Sequence, residues 1–138
     1  MSMRSHHALK AIGLATLLGA CALAQAADPV TDAMQAAYAP YRIALFKTNG
    51  KSQAEAQQAL TQAQQAWDKL STQFGARPAA PYDRDPKFAE SVAEVAKVYI
   101  KAAAEINANQ LADAHSTLEH ARDVMADMRQ RNNVVVFS

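Results

Sequence analysis

Apolar residues recur every three or four positions through most of this chain, and the clearest run lies behind Ser52-Gln53-Ala54-Glu55. Ala56, Leu60, Ala63, Trp67, Leu70 and Phe74 fall there on one stripe, the spacing of an amphipathic helix. The Ser and Glu ahead of it form a capping box, in which each side chain satisfies a free backbone N–H of the first turn. Asn49-Gly50 makes the preceding turn and Gly75 closes the helix. Pro78, Pro81 and Pro86 then forbid continued helix. Asp85-Pro86 reads as N-cap and first residue of the next helix, whose stripe is Phe88, Val92, Val95, Tyr99, Ala102 and Ile106. Asn107-Ala108-Asn109 interrupts the pattern before a last helix carrying Leu111, Ala114, Leu118, Ala121, Met125 and Met128.

Ahead of all these, Val30, Met34, Ala37, Tyr41 and Leu45 make a further stripe with Pro40 in its middle. Proline removes one backbone donor and clashes with the turn before it, which predicts a kink or break near residues 36–41. The pattern therefore predicts helices over 29–47, 52–74, 86–107 and 110–132. Their similar lengths and short connections predict an all-α, antiparallel up-down-up-down four-helix bundle. Stripes with a 3.5-residue repeat favour near-parallel packing around one seam.

The first 26 residues belong to a different pattern. Arg4 and Lys10 precede an apolar run from Ala11 to Ala24, and Ala24-Gln25-Ala26 offers small residues at a cleavage site. Basic start, apolar core and small-residue exit are the marks of a bacterial secretory signal, which predicts export to the periplasm. A second reading attaches to Leu18-Gly19-Ala20-Cys21, which resembles a lipoprotein acylation site and would anchor the chain to lipid through Cys21. Cleavage after Ala26 removes the single cysteine, and with it any disulfide, thiolate metal site or covalent haem attachment. Residues 27–138 then form one domain, large enough for a modest core. Without Arg4 and Lys10, 12 Lys and Arg stand against 13 Asp and Glu. Interspersed charges of both signs leave no footprint for nucleic acid.

Ala27-Asp28-Pro29-Val30-Thr31-Asp32-Ala33-Met34 resembles the opening of the small periplasmic b-type cytochromes, the cytochrome b562 family. The fourth helix, opening at Leu111-Ala112-Asp113-Ala114 and running through Glu119, is similar in layout, as is the proline-rich middle loop. The resemblance implies a four-helix bundle that carries electrons with haem held between an early Met on helix one and a His near the end of helix four. Met34 takes the first of those places. The second place departs from the family pattern, because Met125-Ala126-Asp127-Met128-Arg129-Gln130-Arg131 contains no histidine. Met125 or Met128 is then the second candidate, since thioether sulfur is a soft ligand for the iron of haem b or for Cu(I). Against this stands the plainer role of methionine as adaptable core filler.

His115 and Glu119, four residues apart on one helical face, could present a two-ligand metal patch or a surface ion pair. His120 lies about 140° further round and faces solvent. Tyr38, Tyr41 and Tyr82 read as rings at the edge of the core, and Trp67 as its anchor. No G-x-S-x-G, H-E-x-x-H or phosphate loop occurs, so nothing predicts an enzyme. The chain ends in an apolar, β-branched tail, Val134-Val135-Val136-Phe137-Ser138, which packs on the bundle, meets a partner chain or leads into further sequence. Two functions stay open. One is a haem- or soft-metal-binding electron carrier. The other is a ligand-free interaction module that docks a partner or a second copy through Val134, Val135, Val136 and Phe137.

Overall fold

The computed structural model describes residues 28–135, in which four α-helices follow one another without a strand. These are α1 (Pro29–Thr48), α2 (Gln53–Phe74), α3 (Phe88–Asn107) and α4 (Leu111–Arg131), with a 3-10 turn at Tyr82–Arg84 between α2 and α3. The leader with Cys21, and Val136, Phe137 and Ser138 of the tail, lie outside the described residues. Among the described residues no helix is long and apolar enough to cross a membrane.

The helices pack as an all-α bundle, and the hydrogen bonds between them run in opposed order. Along α1 and α4 the Tyr41 hydroxyl donates to the Leu118 carbonyl at 2.7 Å, while Thr48 Oγ1 lies 3.0 Å from His115 Nδ1. Along α2 and α3, Gln53 Nε2 donates to the Ile106 carbonyl and Trp67 Nε1 to the Val92 carbonyl. Along α3 and α4, Arg131 donates to Ser91 and Thr117 to Glu105. In each pair one number rises as the other falls, which is what antiparallel neighbours require.

Each helix end has a local cause. Asp28 caps α1, its Oδ1 accepting from the Thr31 N–H at 2.8 Å and its Oδ2 from the Thr31 hydroxyl at 2.7 Å. Ser52 caps α2 by accepting from the Glu55 N–H at 3.2 Å. The Glu55 carboxylate does not complete the box; it pairs instead with Lys47 at 3.5 Å, tying the hairpin. Gly75 ends α2 in right-handed conformation, and its need for glycine is one of space: a Cβ there would stand 2.5 Å from the Ser71 carbonyl oxygen. Asn109 and Asn133 both take left-handed backbone just past α3 and α4. The Gln110 N–H then bonds the Glu105 carbonyl and the Val134 N–H the Arg129 carbonyl, the Schellman closure in which asparagine stands in for glycine.

α1 runs through Pro40 as one continuous helix, which removes the break and keeps the kink of the two outcomes expected at that proline; two other expectations need correction. The carbonyl deprived of its donor is that of Ala36, an exposed residue where water can serve it. α3 starts at Phe88, two residues later than predicted, because Asp85 and Pro86 close a turn with the Lys87 N–H on Asp85 Oδ1. The stripe of α1 ends on Ala44 and Thr48, both buried, rather than on half-buried Leu45.

Candidate functional site

The three methionines put forward as ligands are core residues. Met34, Met125 and Met128 are 3%, 1% and 0% exposed. Met34 lies between Thr31, whose hydroxyl is 3.3 Å from that of Tyr82, and Tyr38, whose ring carries the Arg129 guanidinium 6.0 Å from its centroid. That places Met34 toward the same end of the bundle as Met128. Met34, Met125 and Met128 line none of the clefts formed by the middle loop with the end of α4, by α3 with α4, or by α2 with α3. The three sulfurs thus belong to core side chains, and the last turns of α4 carry no histidine beside them.

The middle of the core is aromatic. The Tyr41 and Tyr99 rings stack with centroids 6.4 Å apart, and Trp67 meets Tyr99 edge-on at the same separation. Tyr82 packs on Phe88 at 5.4 Å. Tyr41 and Tyr82 are therefore interior residues, not the rim predicted for them; only Tyr38 stays at the edge. Their hydroxyls explain the difference, because each has a partner inside: Leu118 for Tyr41 and Thr31 for Tyr82. Burial pushes the phenols of Tyr41, Tyr82 and Tyr99 above their ordinary pKa, so all three stay protonated near neutrality.

Tyr99 is the exception in this set, since its buried hydroxyl has no hydrogen-bond partner. An unpaired buried hydroxyl costs stability, so Tyr99→Phe is expected to leave the fold unharmed or to gain up to about 1 kcal/mol in urea unfolding. A loss of that size instead would reveal a partner for the hydroxyl.

His115 is committed to structure. Its Nδ1 lies 3.0 Å from both the Leu45 carbonyl and Thr48 Oγ1, pinning α4 to the end of α1. Its Nε2 is 3.8 Å from Glu119, the ion-pair geometry expected of an i,i+4 pair. Among the described residues no group of three His, Cys, Asp or Glu is placed to hold a metal ion, so the pair gains no third ligand. His120 stands on the outside, 3.3 Å from Glu94 of α3.

Two features escaped the sequence reading. One is a cleft of about 670 Å³ between the middle loop and the end of α4. Asp85 lies in its wall with a side chain only 4% exposed, accepting from Arg131 at 3.0 Å, Asn132 at 2.9 Å and the Lys87 N–H. Burial alone would raise its pKa, but those three bonds outweigh it and hold the carboxyl below its usual value. The other is the outer face of α1. Asp32, Ala36, Ala39, Ile43 and Phe46 follow one another at alternating steps of four and three, all exposed, with Ile43 at 49% and Phe46 at 72%. The sequence carries that heptad as plainly as the buried stripe, but one apolar stripe had already been assigned to the core.

In comparison with known proteins, the chain matches no family model, no curated protein and no solved structure.

Proposed function

We propose that this protein is a small exported interaction module, a closed helical bundle that works through its outer surface. The observation that carries the reading is the α1 face, where Ala36, Ala39, Ile43 and Phe46 line up outside the bundle while all three candidate ligand sulfurs are enclosed within it. Single exposed apolar residues are ordinary, but a continuous line of them at helical spacing is the pattern of a docking surface. The leader at residues 1–26 supports action outside the cytoplasm. The tail is the weaker candidate for docking. Val134 folds in against the core and closes α4, which leaves Val135, 74% exposed, as the one described tail residue facing out.

The rival reading is the electron carrier, and one arrangement favours it: Met34 and Met128 share an end of the bundle. A haemin titration of the purified chain, followed in the visible range in both oxidation states, separates the two. The module reading expects the spectrum of free haemin throughout, with Met34→Ala indistinguishable from the parent. A saturable, sharp Soret band with low-spin bands on reduction, weakened by Met34→Ala, would replace the module with the carrier.

A further inference from the structure

From the charges that flank the exposed α1 stripe, we infer that its partner is a second copy of the same chain, packed antiparallel about a two-fold axis near Ala36 and Ala39. The inference rests on the module reading above. Asp32 sits at the start of the stripe and Arg42 beside its far half, both exposed. Neither is engaged in an ion pair among the described residues, so both are free to pair across an interface. Ten residues of helix separate them, about 15 Å along the axis. Two copies of α1 crossing head to tail between Ala36 and Ala39 bring Asp32 of each opposite Arg42 of the other. One helix face thus supplies both halves of two identical ion pairs, the self-complementarity that an isologous interface requires. A parallel pairing would set Asp32 on Asp32 and Arg42 on Arg42.

The apolar residues agree with that register. Ala36 and Ala39 at the crossing have no bulk, so the two helix axes can approach closely there. The larger Ile43 and Phe46 lie beyond the crossing, where each copy lays them over the other's exposed first turn around Pro29. Steps of four and three between Asp32, Ala36, Ala39, Ile43 and Phe46 keep the seam facing its partner along about four turns. The helix dipoles also oppose one another in this arrangement. Pro40 does not interrupt the seam, because α1 continues through it.

Sedimentation of the full chain across a concentration series tests the inference, with circular dichroism to confirm that each variant stays helical. The parent is expected to show a reversible monomer–dimer equilibrium. Phe46→Asp, at a residue outside the core, is expected to weaken the dimer by about a hundredfold or more, since it strikes both halves of a symmetric interface. Asp32→Arg and Arg42→Asp are each expected to weaken it about tenfold, by placing like charges opposite one another. Asp32→Arg with Arg42→Asp restores the complementary pairs and is expected to recover most of the parent affinity. A chain that stays monomeric at all concentrations, or a dimer indifferent to these changes, overturns the two-fold pairing. If haemin titration of that same chain still gives free haemin, the module reading survives with another partner; a Met34-dependent Soret band ends both.

Discussion

Trp67→Ala is expected to lower the free energy of unfolding by about 3–5 kcal/mol, the largest loss from any single change in this bundle. Trp67 is the largest fully buried side chain, and its ring is wedged edge-on against Tyr99. Its Nε1 crosses from α2 to the Val92 carbonyl of α3 at 2.9 Å. Truncation leaves a cavity beside Tyr99 that side chains on fixed helices are poorly able to fill, and it removes the one fully buried side-chain hydrogen bond between α2 and α3 among the described residues. Urea unfolding followed by circular dichroism measures the loss directly. Trp67→Phe should recover a large part of it, because most of the volume returns while the hydrogen bond does not. A loss below about 1 kcal/mol for Trp67→Ala would mean that the indole is not a core anchor, as a residue waiting to stack on a ligand would not be.

Asp85→Asn is expected to cost about 2–3 kcal/mol at pH 7 and to flatten the acid side of the stability profile. The Asp85 carboxylate joins the middle loop to the end of α4 through Arg131 and Asn132. Its folded pKa lies below the ordinary value of 3.8. Such a group contributes fully above its unfolded pKa, and the contribution is lost as pH falls through the folded one. The parent should therefore lose stability between about pH 5 and the region below pH 3.8, where the carboxylate protonates and the bond to Arg131 weakens. The Asn variant, with no charge to titrate at this position, should lose less over that range, so the two curves converge at low pH. Urea midpoints at pH 7 and pH 3 for both proteins decide it; parallel curves would assign the acid sensitivity to other carboxylates.

The fold was largely legible before the tertiary structure. Its stripes from Val30, Ala56, Phe88 and Ala114 onward are core residues, because a helix must bury whatever apolar face its sequence repeats. The Ser52 cap and the Gly75 end were equally local, resting on neighbours a few residues apart. Less legible was the site. Whether Met34 and Met128 line a pocket or fill a core depends on how tightly the packed helices close over them, a volume question that spacing does not answer. The same holds for Tyr41, which spacing put at the rim and Leu118, 77 residues away, draws inside.

By itself the sequence determined the number, order and inward faces of the helices, since hydrogen bonding and periodicity act over a turn or two. It also determined the places of Asp32 and Arg42 and the apolar line on α1 that underlie the proposed pairing. Only the tertiary structure decided that Asp85 serves the α4 end instead of capping α3, that His115 is tied to Leu45 and Thr48, and that the methionines are enclosed. Those outcomes turn on contacts between residues far apart in the chain. Each is set by which side chains meet once the helices have packed, and by how much space they leave.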